Sequence, residues 1–219
     1  MKKIVLVAVI AFLVSVASAW GAAEVSLYGG ASSTRDAEAR VAVSDETATE
    51  RLNLDSAAVF GGRVTYWFPS YSLGIALDAS TFKPSEFVRG TFVTPLLLVR
   101  YEAKQYRSAR LYAGAGPSLA HSRAKLPVED EADVTICCET IVLSDKFYSQ
   151  TIDLGVKAVA GLSVPIVAGR YGALRLFGEY QFTHVRPSFE ASVFETRTSL
   201  QADVNTHHVV GGLSYEWGK

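Results

Sequence analysis

The chain has 219 residues, of which 49% are hydrophobic and 20% are charged, and its formal net charge is −1. A weakly acidic chain has no electrostatic attraction for nucleic acid, so we expect no nucleic-acid partner. The low net charge and the aromatic content of 11% exclude an intrinsically disordered protein. Beyond the N-terminal region, no apolar run approaches the roughly 20 residues of a membrane-spanning helix, which excludes a helical membrane protein.

The first residues have the pattern of a secretory signal peptide. Lys2 and Lys3 precede the apolar run Ile4–Val14, and a stretch of small residues follows that run. This order of basic, apolar and small residues is typical of exported proteins. We therefore predict a cleaved signal peptide over residues 1–19 and one mature domain over residues 20–219.

Hydrophobicity in the mature chain alternates with a period of two. In the segment Leu174–Thr183, one face is mostly apolar and the other carries Arg175, Glu179 and Gln181. Such alternation predicts a β-strand with one apolar and one polar face. Eight segments follow this pattern: Glu24–Ser33, Ser56–Phe68, Ser72–Ser80, Phe92–Glu102, Arg110–Ala120, Gln150–Val164, Leu174–Thr183 and Val204–Trp217. Gly29 and Gly30 interrupt the first segment, and Pro95 interrupts the fourth.

The connections between these segments alternate in length. The short ones are Pro69–Tyr71, Ala103–Ala109 and Pro165–Gly172. The long, polar ones are Thr34–Asp55, Thr81–Thr91, His121–Ser149 and Val185–Asn205. Short turns at one end and long loops at the other indicate an outer-membrane barrel, and most segments supply the roughly 9–11 residues that a tilted spanning strand needs. We predict an all-β fold, an eight-stranded antiparallel up-and-down transmembrane β-barrel.

Aromatic residues concentrate near the short connections. They are Tyr66, Trp67, Phe68, Tyr71, Tyr101, Tyr171, Tyr215 and Trp217. Amphipathic rings favour the headgroup boundary, so we interpret this cluster as an interfacial girdle. The alternative is the general enrichment of strands in aromatic residues, which carries no such meaning.

The face opposite the apolar one carries four cations and four anions. They are Arg63, Asp78, Arg100, Asp153, Lys157, Arg175, Glu179 and Glu216. An eight-stranded barrel is only wide enough to be filled by side chains, and an isolated buried charge is costly. We therefore expect a network of ion pairs that plugs the interior, with glycines making room for large side chains. A narrow conducting lumen remains the alternative.

Three segments resemble strands of the small eight-stranded Gram-negative outer-membrane β-barrel proteins. His208–Trp217 resembles their closing strand, and Arg110–Pro117 and Leu176–Thr183 resemble their inner strands. The resemblance implies an outer-membrane location, in contact with membrane lipid and lipopolysaccharide. It transfers no activity, because members of that group differ in what they do.

The same resemblance implies an assembly signal at the end of the chain. In that family, the barrel-assembly machinery recognises a closing strand that alternates apolar residues and ends in an aromatic one. Leu213, Tyr215 and Trp217 would take that role here. Gly218 and Lys219 follow the aromatic residue, which departs from the family pattern.

The long loops carry charge and suggest a role at the cell surface. Charged residues occur in the first loop at Arg35, Asp36, Glu38 and Arg40, and in the third at Glu129, Asp130, Glu131 and Asp133. Such runs are also common on any solvated surface. We predict a non-enzymatic barrel that anchors these loops for envelope integrity or for contact with an extracellular ligand. The alternative is a narrow pore or a transporter of small or hydrophobic molecules.

An outer-membrane enzyme that modifies lipid A is a further alternative. Such enzymes place a serine and a histidine at the rim, since a nucleophile needs an adjacent base. Here His121 and Ser122 are adjacent and so point to opposite sides of a strand, and His184 lies four positions before Ser188. His207 has no serine at a suitable spacing. We therefore expect no catalytic residues and no enzyme activity.

The sequence implies no cofactor and no metal site. Cys137 and Cys138 are adjacent, so a disulfide between them would join nothing distant, and no histidine shows zinc-ligand spacing around them. A soluble lipocalin-like barrel is the structural rival. It would have an apolar interior and a polar exterior, the reverse of the pattern predicted here.

Overall fold

The computed structural model describes residues 21–43, 46–52, 56–69, 72–83, 88–103, 109–126, 133–136, 139–142, 147–193 and 196–217. The predicted signal peptide over residues 1–19 lies outside these residues, as do Tyr71, Cys137 and Cys138. The described part contains these strands: β1 (Ala22–Val43), β2 (Glu46–Leu52), β3 (Ala57–Trp67), β4 (Leu73–Phe82), β5 (Val88–Ala103), β6 (Ala109–Leu126), β7 (Asp133–Ile136), β8 (Glu139–Val142), β9 (Phe147–Gly169), β10 (Gly172–Val185), β11 (Ser188–Val193) and β12 (Thr196–Trp217). No helix in this part is long and apolar enough to cross a membrane.

Eight of these strands form one closed antiparallel sheet. The order is β1, β3, β4, β5, β6, β9, β10 and β12, and β12 pairs with β1 to close the ring. Each strand pairs with its neighbour in the chain order of the barrel, which is an up-and-down topology. The predicted eight-stranded antiparallel barrel is therefore confirmed.

The two ends of the barrel differ. At one end, the turn end, lie Ala22, Trp217 and the last residues of β3, β5 and β9. At the opposite loop end, β2 pairs with the last part of β1, and β11 pairs with the first part of β12. β7 and β8 form a separate two-stranded sheet.

Several barrel strands are longer than the sequence predicted. β1 runs to Val43 and β12 starts at Thr196, so the predicted loops Thr34–Asp55 and Val185–Asn205 contain paired strands. Backbone hydrogen bonds do not depend on side-chain type, so a strand can continue past the segment where alternation was recognised. The hairpin extensions lie in segments that the sequence reasoning assigned to loops.

Three prolines lie inside described strands, and two of them, Pro95 and Pro165, bear on the predicted elements. The predicted connection Pro165–Gly172 begins too early, because β9 continues to Gly169. Pro165 lies at a register shift in the pairing of β9 with β10, where the ladder does not need its missing N–H. Pro95 likewise lies within a continuous β5, where the ladder to β6 is interrupted between Val93 and Leu97.

The side chains are arranged inside out relative to a soluble protein. Large apolar side chains on the outer face are exposed. The exposed fractions of Leu27, Ile152 and Leu154, for example, are 69%, 72% and 74%. Inward positions are mostly buried and often polar or charged. This distribution is the reverse of a lipocalin-like barrel.

The predicted aromatic cluster divides between the two faces. Tyr101, Tyr171 and Tyr215 are exposed at the turn end, and the rings of Tyr66 and Phe68 meet edge to face at 5.3 Å between centroids. Trp217 is half-buried and stacks on Tyr215, whereas Tyr71 lies outside the described residues. Trp67 does not belong to the outer cluster. It is 4% exposed and points into the barrel, because strand alternation places it opposite to its two aromatic neighbours.

Large interior rings lie over glycines on the neighbouring strand. In each case, a methyl group on the glycine would overlap the ring of its cross-strand partner. The pairs are Tyr28 with Gly61, Trp67 with Gly74, Phe82 with Gly90 and Tyr112 with Gly161. Glycine therefore gives the narrow interior room for rings that would otherwise not fit.

We predict that Gly61→Ala destabilises the barrel by about 1–3 kcal/mol, the usual cost of overpacking. The added methyl group would overlap Tyr28, whose hydroxyl is held by Asp78. Gly178→Ala is the matched control, since no atom lies within 4 Å of its added carbon. Urea unfolding of protein folded in lipid vesicles would measure both effects. Equal stability of the two variants would contradict the close packing.

Candidate functional site

The central part of the barrel interior is organised around Arg63 of β3. Its two terminal nitrogens donate to the two carboxylate oxygens of Glu179 on β10, each at 2.6 Å. Its Nε donates to Oδ2 of Asp78 on β4 at 3.0 Å. One guanidinium thus binds two carboxylates, and the bidentate contact with Glu179 has the geometry of the strongest charge-assisted hydrogen bonds.

Three further side chains complete this group. Nζ of Lys157, on β9, donates to Oδ1 of Asp78, and the hydroxyl of Tyr28 donates to Oδ2 of the same carboxylate at 2.9 Å. Nε2 of Gln181 donates to Glu179 at 2.7 Å. We call Tyr28, Arg63, Asp78, Lys157, Glu179 and Gln181 the central network.

The central network joins strands that are not neighbours in the sheet. β3 and β10 are separated by β1 and β12, and β4 and β9 are separated by β5 and β6. The bonds from Arg63 to Glu179 and from Lys157 to Asp78 therefore cross the lumen. The group contains two cations and two anions, all at most 5% exposed, so each buried charge has an opposite partner.

A second group of charges lies nearer the turn end, and we call it the lower cluster. Arg100 donates to Glu216 at 3.4 Å, and Arg110 donates to the other carboxylate oxygen of Glu216. Trp67 Nε1 donates to Glu24 at 2.9 Å, and the guanidinium of Arg100 lies 4.5 Å from the Trp67 ring centroid. A cavity of about 20 Å³ lies among these residues and reaches Arg63 and Tyr112. It has room for about one water.

The interior nearer the loop end is more apolar. Phe82 and Phe92 stack with centroids 5.4 Å apart, and His208 meets Phe82 edge to face. Ser32 Oγ and Thr206 Oγ1 are buried here and have no hydrogen-bond partner among the described residues. This region therefore combines apolar packing with a few unpaired polar atoms.

The predicted interior charges lie at different heights in the barrel. The central network holds four of the eight, and the lower cluster holds Arg100 and Glu216. Nε of Arg175 donates to the hydroxyl of Ser163 at 3.2 Å. Asp153 lies towards the loop end, where it accepts a hydrogen bond of 3.4 Å from the backbone N–H of Ser188.

Sequence reasoning missed several interior residues. Tyr28 and Arg110 contact interior charges, and Glu24 accepts a hydrogen bond from the buried Trp67 ring. Strand alternation contains the necessary signal, because Glu24 and Tyr28 are an even number of positions apart on β1 and so share a face. Glu24 and Arg110 are the first residues of their predicted segments, and the prediction did not include them among the interior charges.

The rim histidines have hydrogen-bond partners other than serine. Arg123 Nε donates to His121 Nε2 at 3.0 Å, and His184 Nδ1 lies 2.9 Å from the Asn205 side-chain oxygen. Nδ1 of His207 bonds to the hydroxyl of Tyr180. Ser122, next to His121, is buried on the inner face. These contacts give the histidines polar neighbours without a serine nucleophile.

Comparisons with known proteins support the fold. No protein-family model and no curated protein sequence matches the chain. The chain is similar in structure to Neisserial surface protein A (NspA), with a TM-score of 0.52 and 14% identity over 89% of this chain and 97% of that one. It is also similar to the outer membrane protein OprG from Pseudomonas aeruginosa, with a TM-score of 0.52 and 15% identity over 91% and 97% of the two chains. Both show that the chain shares the fold of small outer-membrane β-barrels.

We predict that Arg63 and Glu179 are strongly coupled. Arg63→Met and Glu179→Met should each lower the free energy of unfolding by about 3–5 kcal/mol, because each leaves the buried central network with one uncompensated charge. The double variant should lose about 2 kcal/mol less than the sum of the two single losses. Urea unfolding in lipid vesicles would measure this double-mutant cycle.

The control cycle combines Arg63→Met with Arg186→Gln. Arg186 is exposed at the rim and pairs with Asp203, so it shares no partner with Arg63. The two changes should therefore be additive. Additive losses in the Arg63 and Glu179 cycle as well would show that their contact contributes nothing to stability.

Proposed function

We propose that the protein is a non-enzymatic outer-membrane barrel whose interior is closed by side chains and whose loop end is displayed at the cell surface. There it would serve envelope integrity or contact with an extracellular ligand. The central network is the observation that carries this proposal, because it joins opposite walls of the barrel at mid-height.

The outer surface supports a membrane location. Exposed apolar residues occupy successive outward positions on neighbouring strands, as Ile75 and Leu77 do on β4 and Leu97 and Val99 on β5. A continuous apolar surface of this kind is costly in water and favourable in lipid. The two similar structures are named as a surface protein and as an outer membrane protein, which supports the same location.

The outward aromatic residues at the turn end, some exposed and some half-buried, support an interfacial girdle on the periplasmic side. They are Tyr66, Phe68, Tyr101, Tyr171, Tyr215 and Trp217. Leu213, Tyr215 and Trp217 lie on the outer side of the last strand, where the barrel-assembly machinery would recognise them before the barrel closes. We retain both roles as part of the proposal.

The strand extensions at the loop end support a surface role. The hairpins β1–β2 and β11–β12 continue well past the apolar outer face, which on β12 ends at Val209. Hairpin pairing would hold the loop tips away from the membrane surface, where a partner could reach them. The ligand or partner of these loops would be extracellular.

A narrow conducting lumen is the second candidate. The unpaired hydroxyls of Ser32 and Thr206 and Nδ1 of His208 favour it, because they lie on inward positions towards the loop end. Water or small ions could use these groups as hydrogen-bond partners. The central network stands against this function, since it lies between these groups and the turn end.

We predict that fractionation recovers the protein in the outer membrane, with the loop end outside. An epitope inserted between Val193 and Thr196 should be labelled by antibody on intact cells. An epitope inserted at Arg170 and Tyr171, in the turn after β9, should be labelled only after permeabilisation. Recovery in the soluble periplasmic fraction, or the opposite labelling pattern, would reject the location.

We predict that the purified protein shows no discrete openings in planar lipid bilayers. The double variant Arg63→Ala with Glu179→Ala should show them, because it removes both partners of a lumen-crossing contact. Single-channel recording would measure the difference.

Tyr180→Ala is the control for the conductance experiment. Tyr180 is next to Glu179 but points outward, so its removal should leave the lumen closed. Reproducible openings of the unaltered protein would instead favour the pore.

A further inference from the structure

Three cations lie side by side on the outer face at the loop end. Arg89 on β5 is the direct cross-strand partner of Arg123 on β6. Lys83 follows Phe82, the partner of Gly90, and so lies beside Arg89 on the other side. All three are exposed. We call Lys83, Arg89 and Arg123 the basic patch.

The basic patch is not neutralised within the described part of the chain, where no carboxylate forms an ion pair with any of its members. Like charges directly opposite each other across a strand pair are destabilising. His121 accepts a hydrogen bond from Nε of Arg123 and so holds one edge of that guanidinium. The remaining N–H groups of Arg123 are left for an external acceptor.

Another arginine at the same end of the barrel provides a contrast. Arg186, which follows β10, donates to Asp203 on β12 at 3.1 Å, and His184 lies 3.4 Å from the same carboxylate. On that side of the rim, the protein itself neutralises its cation. The side formed by β4, β5 and β6 lacks such a carboxylate among the described residues.

Below the basic patch, the outer surface carries one polar row, Thr81, Thr91 and His121, and then becomes apolar. Thr91 follows Arg89 along the outer face. Nearer the turn end lie Val93, Leu77 and Leu119, whose exposed fractions are 39%, 52% and 49%. A soluble polyanion would match only the cations and would leave this surface uncovered. An amphiphile with an anionic headgroup matches both parts at once.

We propose that the basic patch and the apolar surface below it form a binding site for a phosphate-bearing glycolipid of the outer leaflet, the lipid A part of lipopolysaccharide. Its phosphates would bind Arg89, Arg123 and Lys83, and its acyl chains would pack on Val93 and Leu119. Arginine suits this role, since its planar fork binds phosphate oxygens in a bidentate manner. This proposal rests on the outer-membrane location proposed above and assigns a specific lipid contact to one side of the barrel.

The test uses the full mature chain folded in phosphatidylcholine vesicles and titrated with bis-phosphorylated lipid A. Native mass spectrometry of the released protein counts the bound lipid. Each charge near a membrane surface contributes enough for about a fivefold change in apparent affinity, so Arg89→Gln and Arg123→Gln together should weaken binding by about twentyfold. Arg186→Gln, the matched control, should leave binding unchanged, because that cation is already paired.

Two further probes identify the part of the lipid that is bound. Dephosphorylated lipid A should bind the unaltered protein no better than it binds the double variant. A soluble sulfated oligosaccharide should bind the unaltered protein more weakly than bis-phosphorylated lipid A does. The lipid site would be overturned if dephosphorylated lipid A or the soluble polyanion bound as well as bis-phosphorylated lipid A. It would also be overturned if the double variant bound lipid A normally, or if Arg186→Gln lost as much binding as the double variant. Failure of the chain to enter vesicles at all would instead reject the membrane location.

Heat-modifiable gel migration provides the folding check for each variant. Both substitutions lie on exposed outer positions, so the folded form should persist. A double variant that fails to fold would be replaced by Arg89→Lys with Arg123→Lys. These changes keep the charge but lose the bidentate geometry, and they should weaken binding by a smaller factor.

Discussion

The width of an eight-stranded barrel is the constraint on which the rest of this structure depends. A ring of eight strands leaves an interior just wide enough for side chains. Every inward residue therefore needs a partner or a neighbour that gives it room. The pairing of Arg63 with Asp78 and Glu179, and the glycine under the ring of Tyr28, are two solutions to this single problem.

These two solutions are linked through Tyr28. Its ring lies over Gly61, and its hydroxyl donates to Asp78, which also binds Arg63 and Lys157. A change in the glycine would therefore displace a ring that helps to hold a buried carboxylate. Packing and electrostatics in this interior are consequently coupled, and neither can be altered alone.

The sequence predicted the faces of the strands far better than the contacts between them. Alternation is a local property, and it assigns a face to Arg63, Lys157 and Glu179, which are buried. The partner of each charge depends on the stagger of the strands around the ring, and Arg63 and Glu179 are 116 positions apart. No pattern within one strand specifies that stagger. The strand extensions at the loop end were also missed, because those segments were assigned to loops on their polar composition, whereas backbone pairing does not depend on side-chain type.

The basic patch shows how the same electrostatic rule has different consequences on the two sides of the barrel wall. Inside, no external molecule can supply a counter-charge, so the chain must supply its own, as Glu179 does for Arg63. At the outer rim, the proposed membrane location would bring lipid headgroups within reach. The chain supplies Asp203 for Arg186 but leaves Arg89 beside Arg123 without a carboxylate partner among the described residues. Like charges opposite each other on paired strands are destabilising, and an external anion can neutralise them. The apolar surface below Arg89 and Arg123 makes a phosphorylated lipid the proposed anion.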